Sequence, residues 1–470
     1  MSFQEGRSLL SAMTAAGLQR ERNPIERLLA AVDPPAILDD RAGNADGPAI
    51  VCAVASGSMR RLTQGEWQLF ARVLPGRPRA SGRPFAKFDL DDGRSVAASV
   101  DPVTGLVHVP FNLAEAFGNY VLERWSEGLV QRRLSSRQLE AFYRIKRLMP
   151  RAAQLAARRA LIRWQGLPDF PRWPYDDSVP RLLRFYIHCV ALASGRSSLR
   201  FRWFWPEGAR AALTLTHDVE SAAGLRGAVR VADAEEERGL RSSFNIVARW
   251  YRIDWGIVRE LQARGFEIGA HGVFHDRSMF SSRAQFQAQQ PALREAVEAF
   301  GATGFRSPST YRVLDWLPEL PVAYDCSVPH SDPYEPHPGG CCSPWPYLIG
   351  SLVELPYTLP QDHTLFTLLG HRSPELWLRQ VDRLVREHGL IQCLSHPGPG
   401  YLGDERKFAS YRTFLDAMAE RGGLWKALPR EVAAWWRARD SGESAGGADG
   451  LARCDLDSGE VTLEPPTATD

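Results

Sequence analysis

One stretch limits the fold more than any other. Ala211–Glu220 reads AALTLTHDVE, an alternation of small and β-prone residues that runs without a spacer into two acids, Asp218 and Glu220. That is the pattern of a strand ending at a site. With a period of two, Thr214, Thr216, Asp218 and Glu220 share one face, and Leu213, Leu215 and His217 the other. Two carboxylates then sit side by side at a strand's C-terminal end, where α/β barrels and open α/β sheets place their chemistry. The same residues also suit a strand that simply enters an Asp-rich turn.

From this strand onward, β-type runs (SSFNIVA, FEIGAH, GFRS, AYDCSV, SLVELPY, LIQCLSH) alternate with helical patterns such as Gly224–Arg238, Asp254–Arg264, Ser282–Phe300 and Pro374–His388, and a further helix is expected near Leu314–Leu320. Strands spaced by helices imply βαβ units and a parallel sheet. Six or seven such units in about 230 residues favour a closed barrel over an open sheet. A chain of 470 residues exceeds what one domain usually needs. Residues 1–200 are expected to form a smaller N-terminal α+β domain, with short β runs between Pro48 and Val109 and helices over 112–165. Residues 201–440 form the α/β barrel, and residues 441–470, containing SGESAGGADG and EPPTATD, read as a disordered tail.

Charge and cysteine usage narrow the class. A net charge of +2 with 24% charged and 44% hydrophobic residues describes an ordinary globular chain, and no nucleic-acid partner is expected. The exception is local: residues 131–163 carry ten basic residues against one acid, Glu140. A basic helical surface suits peripheral contact with anionic lipid, or an acidic glycan, or is a solvated face around a buried stripe. The N-terminus lacks a signal-type apolar core, and no run approaches the roughly 18 apolar residues of a membrane span. The seven cysteines are odd in number and form no CxxC pair. A reduced, cytoplasmic protein without a disulfide framework is the expectation.

His271-Gly-Val-Phe-His275 directly follows FEIGA. Imidazoles at this spacing chelate one ion from a helical turn or a tight loop, and Gly269 and Gly272 favour the loop. An isolated HxxxH is also common in purely structural settings. The zinc-protease motif has Glu after its first His, where this chain has Gly272. Joined by a carboxylate from Ala211–Glu220, the two histidines complete a set that leaves positions open for water and substrate.

In this combination the chain resembles the NodB-type polysaccharide deacetylases, a carbohydrate esterase family 4-like group built on a distorted (β/α)7 TIM-like barrel. THDVE (Thr216–Glu220) resembles the family's first motif, HGVFH its metal-binding HxxxH, FRSP (Phe305–Pro308) its Arg-x-Pro motif, YDCS (Tyr324–Ser327) its fourth region and LSHP (Leu394–Pro397) its L-x-H motif, in the family's order. The resemblance covers roughly Arg210–Arg437 and implies a divalent metal cofactor, zinc by expectation. It implies that His271 and His275 hold the ion, that Asp218 is the general base, that His396 is the general acid, and that Arg306 orients the base. One departure matters. The family commonly has two adjacent aspartates, whereas Val219 occupies the second place. Glu220, on the same face as Asp218 and longer, is the expected metal ligand; the opposite assignment puts Asp218 on the ion. Asp325, Asp362 and His363 are candidates for substrate contact. The insertion His330–Pro346, rich in Pro, Gly and aromatic residues, suits either a sugar-stacking loop over the barrel mouth or a rigid cover. Cys341 and Cys342 are expected to be inert.

The function expected from the resemblance is a metal-dependent hydrolase that removes an acetyl group from an N- or O-acetylated sugar, in a glycan or in a lipid- or nucleotide-linked precursor. The alternatives are an inactive barrel that binds glycan or protein, and an amidohydrolase acting on a non-sugar amide.

Overall fold

The computed structural model describes residues 24–29, 36–39, 49–52, 57–73, 82–128, 151–442 and 447–466. The first sheet holds β1 (Ala36–Asp39), β2 (Ala49–Cys52), β3 (Arg60–Gln64), β4 (Trp67–Ala71), β5 (Arg83–Leu90), β6 (Ser95–Val100) and β7 (Val107–Val109), in the order β1-β2-β7-β6-β5-β3-β4. β5 alternates buried Ala86, Phe88 and Leu90 with exposed Lys87 and Asp89, the pattern of a strand with one face in the core. Helices Leu113–Val121 and Ser178–Ser194 bury Phe117, Tyr120, Phe185 and Tyr186 in the same core.

The chain then passes through β8 (Ser198–Arg202) and the aromatic run Trp203–Trp205, whose rings are fully buried. Each indole N–H there finds a carbonyl: Trp203 that of Ala209 at 2.8 Å and Trp205 that of His388 at 2.8 Å. This pairing is what permits such large, partly polar rings to be buried.

The second sheet contains β9 (Ala211–Val219), β10 (Ser243–Ile246), β11 (Glu267–Ala270), β12 (Gly304–Phe305), β13 (Tyr324–Asp325), β14 (Tyr347–Ile349), β15 (Leu352–Glu354), β16 (Leu390–Ser395) and β17 (Leu424–Lys426). Its order is β14-β15-β13-β12-β11-β10-β9-β16, with β17 also on β9, and every pairing except β14 with β15 is parallel. The expected βαβ succession is therefore present. The strand ladder does not close into a full ring. Between its two ends the N–H groups of Thr358 and Leu359 reach the carbonyl of Gln392 at 3.3 Å, so irregular backbone stands where a last ladder would be. Four of the helices start on side-chain caps: Ser221 accepts from Gly224 N, Asp254 from Gly256 N, Ser282 from Gln285 N, and Asp404 from Arg406 N and Lys407 N. The helix expected near Leu314–Leu320 is a 3-10 helix, Leu314–Glu319, with Pro318 inside it.

The expectation of a disordered tail is corrected. β18 (Asp449–Cys454) and β19 (Val461–Glu464) form a three-stranded antiparallel sheet with β8, in the order β19-β18-β8. Few large apolar residues are needed, because Gly450 and Ala452 pack beneath Trp203 and its neighbours; a Cβ on Gly450 would lie 2.4 Å from the Trp203 ring. Most of the basic 131–163 stretch, residues 131–150, lies outside the described residues. Two of its arginines point inward rather than forming a free basic face: Arg158 donates to the Tyr334 carbonyl and Arg159 to that of Thr367 at 2.6 Å. No described helix is long and apolar enough to cross a membrane.

Candidate active site

Parallel strands aligned in register place their C-terminal ends on one rim, and the site is assembled there. Asp218 is the penultimate residue of β9, with the buried strand residues Thr214 and Thr216 on its face of the sheet, bonded to Gln392 Oε1 at 3.0 Å and Cys393 O at 2.9 Å. Leu213 and Leu215 face the helix-side core instead, and His217 reaches Glu235 of helix Ala222–Glu236 at 2.7 Å. The two-residue alternation therefore holds. Glu220 follows one step beyond the strand.

His271 and His275 come from the loop after β11, the neighbour but one of β9. Gly272 has φ +72°, a left-handed conformation that a side chain would strain. The turn it makes folds the loop back so that both imidazoles face Glu220. One ligand atom from each of Glu220, His271 and His275 lies within 4.8 Å of the other two. His275 Nε2 is 2.8 Å from Glu220 Oε1, and His271 Nε2 is 3.8 Å from Asp218 Oδ2.

These donors fit a divalent cation. The Nε2 atom of His271 is buried and has no hydrogen-bond partner, a costly state for a polar atom, and the Nε2 of His275 meets the Glu220 carboxylate at 2.8 Å. His271 Nδ1 lies 2.9 Å from the Arg306 carbonyl, which fixes the ring and leaves Nε2 as the free nitrogen. Burial lowers the His271 pKa to about 4, so the ring is neutral. For Glu220, burial raises the pKa, but the hydrogen bond from His275 and the nearby histidine charges outweigh it and bring it to about 2. A neutral His271 imidazole and an ionised Glu220 carboxylate are protonation states a metal requires of such ligands.

Around this triad stand Asp218, Arg306 and His396. Asp218 is buried and accepts from Asn245 Nδ2 at 3.1 Å. Burial pushes its pKa up, yet electrostatic interaction with His271, Arg306 and His396 and the hydrogen bond from Asn245 bring the net shift down. Arg306 is fully buried and its pKa is raised; burial acts downward, and Cys326 and Asp218 outweigh it. Its Nη2 donates to Thr216 Oγ1 at 3.0 Å and its Nε to Cys326 Sγ at 3.2 Å. The expectation that Arg306 orients the base therefore takes a different form: it acts on Asp218 through charge, while Asn245 makes the hydrogen bond.

His396 lies at the end of β16, next to β9. Its Nδ1 is 2.7 Å from Asp362 Oδ1, its backbone N–H donates to Asp362 Oδ2 at 3.1 Å, and its ring stacks on Tyr401 with centroids 4.6 Å apart. Its Nε2 is 3.6 Å from Glu220 Oε1. Burial lowers the imidazole pKa, but Asp362, by charge and hydrogen bond, together with Glu220 and Asp218, raises it to about 10.

The candidate substrate contacts separate into three. His363 lines the cavity. Asp362 is corrected: it is 1% exposed and holds His396, so it serves the histidine instead of a substrate. Asp325 is corrected as well. It is 0% exposed, accepts from Ser327 Oγ at 2.7 Å and is absent from the cavity wall, because the strand end turns its side chain under the sheet. From the insertion, Tyr334, Glu335 and Pro336 reach the cavity. Cys341 and Cys342 are buried thiols whose pKa values burial raises. Asn245, Tyr401 and the role of Asp362 escaped the sequence reading. Only Asn245 left a signal, as a lone amide in the apolar run SSFNIVA, in register with Asp218.

The cavity shared by these groups measures about 300 Å³. Among known structures, a Mycobacterium smegmatis protein assigned as a polysaccharide deacetylase is 20% identical over 51% of this chain and 94% of its own, with a TM-score of 0.41. Puue allantoinase is 17% identical over 51% and 94% of the two chains, TM-score 0.39. A family 4 carbohydrate esterase from Streptomyces lividans, in complex with acetate, is 15% identical over 47% and 93%, TM-score 0.31. At these TM-scores the superpositions carry no functional weight. No curated protein matches the chain. The sequence of residues 208–313 does match the polysaccharide deacetylase family, and over that stretch, which holds Asp218, Glu220, His271, His275 and Arg306, the likeness to the NodB-type deacetylases is established.

Proposed function

We propose that this protein is a metal-dependent hydrolase that removes an acetyl group from an N- or O-acetylated sugar. One observation carries the reading: Glu220, His271 and His275 turn their ligand atoms toward one point, and a histidine held by a buried carboxylate stands beside them. Glu220, His271 and His275 would hold the ion, with Glu220 taking the ligand role of the second aspartate that Val219 replaces. The ion, when bound, supplies Lewis acidity toward the acetyl carbonyl and the attacking water. Asp218, ionised and aligned by Asn245, takes the proton of the water. His396, kept protonated by Asp362, gives a proton to the departing nitrogen or oxygen. Arg306 keeps Asp218 charged through the reaction.

The test is metal analysis together with an acetate-release assay on acetylated sugars. His271→Ala and Glu220→Ala are expected to lose bound metal, while Asp218→Ala keeps metal and loses acetate release. Full metal content in Glu220→Ala with loss in Asp218→Ala would return the ligand role to Asp218. A wild-type protein that folds and binds no divalent ion favours the inactive barrel, and release from small amides but not from acetylated sugars favours the amidohydrolase.

A further inference from the structure

The cavity has a wall that the proposed chemistry does not use. Helix Arg151–Gln165, from the part of the chain without an assigned role, lays Leu155 and Arg158 along it. The Arg158 bond to the Tyr334 carbonyl and the Arg159 bond to the Thr367 carbonyl hold this helix between the insertion and the turn His363–Leu368.

Those carbonyls satisfy N–H groups but bring no negative charge. Among the described residues, no carboxylate lies within 4.0 Å of the Arg158 guanidinium. A guanidinium is charged at every working pH; Arg158 is partly buried and feels Asp332 and Glu335 only beyond contact distance, so an anion at contact distance pairs with it favourably. Besides Asp218 and Glu220, the cavity is lined by the carboxyl group of Glu335, which is 7% exposed and whose Oε1 is buried without a hydrogen-bond partner. Burial and the neighbouring Asp332 push the Glu335 pKa up to about 8 against the opposing charge of Arg158, so near neutrality it offers a hydrogen-bonding carboxyl group more than a counter-ion.

We infer that Arg158, with Glu335 beside it, forms an anion-recognising subsite of this cavity, so that the substrate is an acetylated sugar carrying a carboxylate or phosphate. This inference rests on the deacetylase reading of the same cavity, and it makes residues 151–165 part of the substrate site. A volume of about 300 Å³ is at the small end for ligand sites, which suits one charged sugar unit better than a long glycan segment. Arg158 pairs with the anion, and Glu335 bonds to a ring hydroxyl.

The experiment measures binding by calorimetry to an Asp218→Asn background, which blocks turnover. The probes are N-acetylglucosamine, N-acetylglucosamine 6-phosphate and N-acetylmuramic acid. The phosphate or the carboxylate sugar is expected to bind about tenfold tighter than the neutral one, the scale of one charge-assisted bidentate contact. The stronger of the two identifies the group. Arg158→Gln is expected to erase the preference, Arg158→Lys to keep part of it, and Glu335→Gln to preserve it. Equal binding of all three sugars to the parent protein, which involves no change at Arg158, overturns the inference, as does a preference that survives Arg158→Gln. Acetate release from the neutral sugar without any anion preference sinks the inference alone. An Arg158-dependent preference in a protein that binds no metal sinks the deacetylase reading alone.

Discussion

Replacing Asp362 by Asn tests the proton-donor assignment without touching the triad. The change keeps the shape of the side chain and removes the charge that sits 2.7 Å from His396 Nδ1. In the wild type the imidazole pKa stands at about 10, raised mainly by Asp362 against the opposing effect of burial. Without that carboxylate, burial and the remaining acids Glu220 and Asp218 pull in opposite directions, and the ordinary histidine value of about 6.5 is the working figure. A group with that pKa is only about 3% protonated at pH 8, so acetate release there is expected to fall roughly 30-fold, with most of the loss recovered near pH 6. The sign is fixed by the role: a general acid works below its pKa, so the alkaline limb of kcat/KM moves to lower pH. The same raised pKa stabilises the fold fully below about 6.5, and that contribution disappears as pH rises through about 10. The assay is a pH series of kcat/KM for Asp362→Asn and wild type, with metal content measured alongside. An alkaline limb that does not move, or an equal loss at every pH, refutes His396 as the acid.

Two further expectations follow from packing. A Cβ on Gly269 would lie 2.1 Å from Asn245 Oδ1, so Gly269→Ala is expected to turn Asn245 off Asp218 and reduce acetate release by roughly tenfold or more while metal content stays unchanged; unchanged kcat would show that the Asn245 contact is idle. Arg439 is buried, donates to the carbonyls of Arg202, Trp203 and Leu28 at 2.8, 3.0 and 3.0 Å, and lies over the Trp436 ring. Arg439→Ala is expected to cost about 3–5 kcal/mol in urea denaturation because it strands several buried carbonyls at once, and a cost under about 1 kcal/mol would contradict that account.

The sequence made some parts of this site legible because they are local. Period-two alternation set the faces of β9, and the glycine in HGVFH gave the loop that turns two histidines to one side. Glu220 was reachable by the same reasoning, since strand geometry alone puts it beside Asp218 and gives it the longer reach. The partner of His396 was not legible. Asp362 is separated from it by a whole helix, Glu375–Arg386, and a strand, and only the three-dimensional path joins them. Asp325 misled for a related reason: an acid at a strand end is as readily turned under the sheet, onto Ser327, as over the rim. The stretch after Ser441 misled through composition, because small residues that look incapable of forming a core are what fits under the large ring of Trp203.

The sheet that unites β8 with β18 and β19 has a consequence for how the polypeptide matures. On the ribosome, Ser198–Arg202 emerges early and finds no strand to pair with until Asp449–Cys454 has been synthesised. Throughout that interval a strand edge beside Phe201 and Trp203 stays open, the kind of surface that nascent chains expose to chaperones. A stop codon that spares every catalytic group but falls before residue 449 would leave that gap unfilled for good.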